Sequence, residues 1–228
     1  MDSTRLGRRS LLGGAGLLLA SPTGASPIGA NPIGASPTGA SPTGANPAGA
    51  AAASKPRVAI QTGRGVIVVE LEAQKAPLSS ANFLRYVDAN RYDGATIYRA
   101  SRDPGAPGHG TIEGGPSDLV RRFPPIAHES TRMTGLRHRA GTISLARNAP
   151  GTATGDFFIC ASAEPFLDAH PGAPGDNLGF AAFGQVVQGM EVVRTILALP
   201  THGKALTPMM KGQMLSPPVS ILSMKRVG

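Results

Sequence analysis

The chain has 228 residues, a formal net charge of +8, 41% hydrophobic residues, 4% aromatics, no tryptophan and a single cysteine, Cys160. One cysteine excludes an internal disulfide, and the residue is expected to act as a small buried hydrophobe. The basic residues are scattered (Arg121, Arg122, Arg132, Arg137, Arg139, Arg147) and are not interleaved with stacking aromatics, so they describe a solvated basic surface and not a nucleic-acid site.

The N-terminus has the layout of an export signal over residues 1–20. Arg8 and Arg9 precede a short Gly-rich apolar run, which is too short to cross a bilayer; the paired arginines point to the twin-arginine route. A five-residue repeat fills 21–54, with Pro22, Pro27, Pro32, Pro37, Pro42 and Pro47 in step. Each proline removes a backbone donor, each glycine adds chain entropy, and apolar content is low, so a disordered linker is expected. Residues 55–228 remain, a comfortable length for one domain.

Within that domain, β-rich runs at 58–62 and 66–71 flank Gly63-Arg64-Gly65, a hairpin signal. Residues 77–90 read as a helix, capped by Ser79 or Ser80, with Phe83, Leu84 and Val87 as its apolar stripe. Strands are expected at 143–146 and 157–160. A helix over 190–199 ends at Pro200, and a closing strand covers 219–224. Short strands outnumber helices and lack a βαβ rhythm, which favours an antiparallel barrel over a parallel sheet.

Several segments carry a family resemblance. Gly141-Thr142-Ile143-Ser144-Leu145-Ala146-Arg147 and Gly155-Asp156-Phe157-Phe158-Ile159 are similar to G-T-[IVL]-[SA]-M-A and [SG]-[QED]-F-F-I. Tyr92-Asp93-Gly94-Ala95-Thr96-Ile97-Tyr98-Arg99 resembles Y-D-G-x-x-F-[HY]-R. Ile112-Glu113-Gly114-Gly115 stands in place of I-Q-G-G, and Phe183-Gly184-Gln185-Val186-Val187-Gln188-Gly189-Met190 resembles F-G-[RQ]-V-[VI]-x-G-M. Together they resemble the cyclophilins, barrel-shaped peptidyl-prolyl cis-trans isomerases, over roughly residues 57 to 227. The fold this implies is mainly β: a closed eight-stranded antiparallel barrel capped by two α-helices.

The resemblance implies isomerisation of X-Pro peptide bonds without metal, cofactor or covalent intermediate. Arg99 matches the catalytic arginine, whose permanently charged guanidinium would hydrogen-bond the twisting amide. Phe158 and Leu167 match residues of the proline pocket, Phe166 stands where a tryptophan is often found, and Phe180, after a Gly/Pro-rich insertion at 169–179, aligns with the family's pocket His or Tyr. Ala146 and Arg147 match the backbone edge that holds substrate. Glu113 and Asp156 stand where neutral glutamines are usual, and Phe157 is expected in the core. Where a pocket phenylalanine is usual, this chain has Gly110, and Thr111 replaces a methionine. These departures predict a weak isomerase, with Glu113 partly cancelling the field of Arg99.

The reading is therefore an exported monomer, periplasmic or secreted, with no stable membrane insertion after processing, that acts on proline-containing polypeptides and assists the folding of exported proteins. Two alternatives are carried. One is a catalytically poor cyclophilin-like module that binds or chaperones proline-containing segments. The other is a hydrolase using His109, His128, His138, His170 or His202, none of which lies in a recognisable hydrolase motif; His128 and His138 are read as surface or structural.

Overall fold

The computed structural model describes residues 54–228. The signal expected at 1–20 and the linker expected at 21–54, apart from Ser54, lie outside the described residues. The elements run β1 (Arg57–Thr62), β2 (Gly65–Leu71), α1 (Pro77–Asp88), β3 (Thr96–Asp103), β4 (Ala106–Gly115), α2 (Thr131–Thr134), β5 (Thr142–Leu145), β6 (Phe157–Cys160), β7 (Ala181–Gln188), α3 (Met190–Leu197) and β8 (Met214–Val227). The strands close into a barrel in the order β1-β2-β7-β5-β6-β4-β3-β8. Every neighbouring pair is antiparallel, and β8 pairs with both β1 and β3, so no edge is left open.

Alternation builds the interior. In β1, Val58 and Ile60 are buried between more exposed neighbours; in β2, Ile67, Val69 and Leu71 do the same. The two strands pair from Arg57↔Glu70 to Thr62↔Gly65 around a two-residue turn, as the hairpin signal predicts. β5 and β6 are buried on both faces. Ile143, Leu145, Phe157 and Ile159 join the core, leaving Thr142, Ser144, Phe158 and Cys160 on the other face. Phe83 of α1 meets Phe157 edge-on at 5.8 Å and Phe183 at 5.3 Å, and Tyr92 meets Phe157 at 5.7 Å. Such tilted and edge-on contacts suit the ring quadrupoles. Cys160 is fully buried, and burial pushes its thiol pKa up, which keeps it protonated and inert.

Helices α1 and α3 are the two that the sequence predicts; α1 packs on β7 and β8, α3 on β2, β3 and β4. The one-turn α2, capped by Ser130 and ended by Gly135 at φ 70°, is an addition to them. The last strand is longer than expected and begins at Met214.

The start of α1 differs from expectation. The helix begins at Pro77, whose missing N–H is harmless at the first position. Ser79 and Ser80 then lie inside the helix, and their buried hydroxyls make no hydrogen bond. The cap comes from Glu129, whose carboxylate accepts from the N–H groups of Leu78 (3.0 Å) and Ser79 (2.6 Å). Glu129 is itself buried, and its charge faces the positive end of the helix. Glu129→Ala should lower unfolding free energy by about 2 kcal/mol, and Glu129→Gln, which keeps one acceptor, by less. Chemical denaturation measures both, and an unchanged midpoint for the alanine variant would rule out this cap.

Candidate active site

The site begins with an irregularity in β3. Ile97 and Ala100 both point into the core, which leaves two residues between them on the outer face. Against β4 the register shifts between Ile97 and Arg99, which pair with the adjacent Gly114 and Glu113, so Tyr98 is the extra residue of a bulge; against β8 the extra residues lie in β8, between Met214 and Val219. Strict alternation would send Arg99 to the same side as Ile97. The bulge turns Tyr98 and Arg99 outward together, into a cleft of about 720 Å³.

Register then sets a row across four strands: Arg99 on β3 faces Glu113 on β4, Glu113 faces Phe158 on β6, and Phe158 faces Ser144 on β5. Arg99 and Phe158 are thus two strand spacings apart, about 10 Å between backbones. Arg99 is held from two sides. Its Nη1 donates to Glu113 Oε2 at 2.7 Å and its Nε to Gln213 Oε1 at 2.8 Å. Nη2 has no partner among the described residues, so the guanidinium is oriented yet keeps donors for a ligand.

The acids that replace neutral residues have cations of their own. Tyr98 donates to Glu113 Oε1 at 2.9 Å and lies 3.3 Å from Asp156 Oδ1. Arg122 grips both oxygens of Asp156 and also donates to Thr154 and to the carbonyl of Pro116. The chain Arg99–Glu113–Tyr98–Asp156–Arg122 is therefore charge-balanced. Burial pushes the Asp156 carboxyl up, against the pull of Arg122. Burial also raises the Tyr98 phenol, and Glu113 and Asp156 add to the shift, so the hydroxyl stays a donor.

The apolar side of the cleft is formed by Phe158, Leu167, Phe166 and Phe180, with Ala146 and Arg147 along one edge. Phe158 is only 5% exposed, and Phe180 meets it edge-on at 5.4 Å. Phe180 follows a Gly/Pro-rich insertion, which Arg147 fixes in place. The guanidinium of Arg147 pairs with Asp176 at 2.8 and 2.9 Å, donates to the carbonyl of Gly179, and lies 5.1 Å from the Phe180 ring centre. The hydrogen bonds from Arg147 pull the Asp176 carboxyl down to about 2. The Arg147 side chain is thus committed to the insertion. Ala146 gives its N–H to the Asp156 carbonyl at 2.9 Å.

All the site residues expected from sequence line this one cleft: Arg99, Glu113, Ala146, Arg147, Asp156, Phe158, Phe166, Leu167 and Phe180. Sequence reasoning missed Tyr98, Arg122, Gln213 and the apolar residues of 206–210, which also line it or hold it. Tyr98 alone carried a signal, its place beside Arg99. Gly110 has φ +126°, and a Cβ there would lie 1.9 Å from the Ser101 carbonyl oxygen. No side chain fits without moving the backbone, so a phenylalanine cannot simply be restored. Gly115 is similar: a Cβ would lie 2.3 Å from Asp156 Oδ1, so the bare backbone is what lets that acid approach.

Behind Phe158 lies a second polar chain. His138 stacks on the Phe158 ring at 5.7 Å and 17°. Its Nδ1 is 2.8 Å from Asp168 Oδ1 and its Nε2 is 3.0 Å from Ser144 Oγ. Asp168 accepting from Nδ1–H leaves Nε2 to accept from the Ser144 hydroxyl. The order Asp–His–Ser resembles an acyl-transfer triad, but Ser144 is 0% and His138 2% exposed, so no substrate reaches the hydroxyl. His138 is a structural support, as its sequence context predicts.

Burial lowers the pKa of His138, with Asp168 opposing the shift. In the unfolded chain the imidazole returns to about 6.5, so as pH falls the unfolded state takes up the proton first. The stability gained from neutral His138 is complete above about pH 6.5 and is lost as pH drops below it. The melting temperature of the unaltered protein should fall more steeply from about pH 7 to about pH 5 than that of His138→Gln; parallel slopes would contradict this.

The family described as "Cyclophilin type peptidyl-prolyl cis-trans isomerase/CLD" matches residues 57–226. "Peptidyl-prolyl cis-trans isomerase A" of Dickeya dadantii is 37% identical over 156 residues, covering 67% of this chain and 76% of that one. "Peptidyl-prolyl cis-trans isomerase cyp18" of Streptomyces antibioticus is 35% identical over 147 residues, covering 63% and 84%. Among solved structures, a Cryptosporidium parvum cyclophilin crystallised in the presence of the dipeptide Ala-Pro aligns with a TM-score of 0.59 at 21% identity, over 75% of this chain and 99% of that one; it supports the fold.

Proposed function

We propose, from the premise that this chain belongs to the cyclophilin-type peptidyl-prolyl cis-trans isomerases and is itself an isomerase of that type, that Arg99 performs the catalysis and that the physiological substrates are exported polypeptides. Resonance gives the peptide C–N bond a barrier of about 18–20 kcal/mol. At X-Pro bonds both isomers are populated, and they exchange over tens of seconds to minutes. A catalyst has only to favour the twisted bond over both planar forms.

Arg99 can do this as a fixed donor. Glu113 and Gln213 hold its Nη1 and Nε, and Nη2 remains to bond the prolyl nitrogen or the amide once conjugation breaks. The proline ring is received by the apolar surface of Phe158, Leu167 and Phe180. The observation that carries this reading is the shared cross-strand row of Arg99, Glu113 and Phe158. The Ala-Pro dipeptide present with the Cryptosporidium parvum relative suits a proline-containing substrate here as well.

The same geometry supports a modest turnover. Glu113 is an anion 2.7 Å from the guanidinium, where it steadies Arg99 but reduces the field at the reacting amide. The mature protein is read as a monomer, and the Arg8-Arg9 signal segment supports a periplasmic or secreted location.

Two measurements test the mechanism. Arg99→Ala should lower kcat/KM on a chromogenic X-Pro peptide by about a hundredfold or more, and a rate within a few-fold of the unaltered enzyme would defeat the assignment. Glu113→Gln should raise kcat/KM several-fold, because the amide can still accept from Arg99 and can donate to Tyr98 while removing the negative charge. A fall in rate would show that the carboxylate's grip matters more than its field.

A further inference from the structure

Gly110 and Thr111 leave one side of the cleft without a bulky side chain, and the conformation of Gly110 forbids one. The segment between α3 and β8 lines the same cleft. Leu206, Met209 and Met210 line the same cleft as Arg99, and so does Phe166. Leu206 is 71%, Met209 86% and Phe166 67% exposed, so apolar residues gather on the rim of one groove. The segment is anchored to the reacting centre. A 3₁₀ turn covers Pro208–Met210, Gln213 Nε2 donates to the Met209 carbonyl at 3.2 Å, and the N–H of Gln213 donates to the Met210 carbonyl at 3.0 Å. The same Gln213 holds Nε of Arg99.

We propose that Leu206, Met209 and Met210 form a substrate subsite in place of the wall absent at Gly110, and that it receives a large apolar side chain next to the substrate proline. This rests on the isomerase site described above. The occupant follows from continuity. A chain whose proline lies on Phe158 and whose X-Pro amide faces Arg99 carries its neighbouring side chains past the segment that Gln213 ties to that arginine. Thioethers are flexible and polarizable, so the subsite accepts leucine, methionine or phenylalanine alike. Glycine leaves it empty, and an acidic residue has to be desolvated against it.

The test uses acetylated Ala-X-Pro-Y-Ala peptides in which X or Y is glycine, glutamate or leucine. Affinity is read by calorimetry and turnover by exchange NMR, on the unaltered chain, Met209→Ser/Met210→Ser and Met209→Leu/Met210→Leu. The unaltered protein should favour leucine over glycine by about tenfold at one flanking position. The serine pair should lose most of that preference and the leucine pair should keep it. Met209→Ser alone, at an exposed position, decides the matter if the double variant unfolds. Equal affinity for leucine and glycine peptides, or a preference that survives the serine changes, overturns the subsite. Absent turnover with an intact leucine preference in affinity instead overturns the isomerase reading and leaves the subsite standing.

Discussion

One extra residue in β3 decides where the chemistry can occur. Without the bulge at Tyr98, the alternation that buries Ile97 would bury Arg99 as well, and a guanidinium inside the barrel would be stranded among Ile97, Ile112 and their neighbours. With it, Arg99 stands on the outer face in line with Glu113 and Phe158. The closed barrel makes the placement durable. Both strands that flank β3 are themselves paired on their far sides, so the row cannot shift without breaking ladders around the molecule.

The electrostatics of the cleft make sense only as a set. Glu113 or Asp156 alone would be a largely buried, unpaired anion beside a substrate. With Arg99 and Arg122 at the two ends and Tyr98 between, each oxygen has a donor and the formal charges cancel. Such a network is costly to leave incomplete. Gly115 belongs to it by having no side chain in the space Asp156 uses.

Two surface loops finish the cleft on a rigid frame. The insertion after Asp168 is fixed by the pairing of Arg147 with Asp176, and so Phe180 is delivered against Phe158. Residues 206–213 deliver Gln213 to Arg99 from the opposite end of the row. Beneath the apolar floor, His138 supports Phe158, with Asp168 and Ser144 fixing its ring. The barrel is thus the constant part, and loop composition adjusts what it grips.

The sequence by itself determined the hairpin of β1 and β2, the two principal helices, the β5 and β6 strands and the nine side chains that meet in the cleft. Alternation and a helical stripe carry the hairpin, helices and strands, whereas the nine side chains came from the resemblance of contiguous motifs to the cyclophilins. What only the tertiary structure decided depends on pairing between distant segments. Glu129 caps a helix some 50 positions away and displaces the serines that local propensity favours. Gln213 clamps Arg99 from 114 positions away. The bulge at Tyr98 is a matter of register with β4, and the closure of Gly110 depends on the backbone of Ser101 across the ladder. Glu129 and Gln213 act from far along the chain, and the bulge and Gly110 depend on cross-strand register that no local pattern encodes, which is why residue types were legible and their geometry was not.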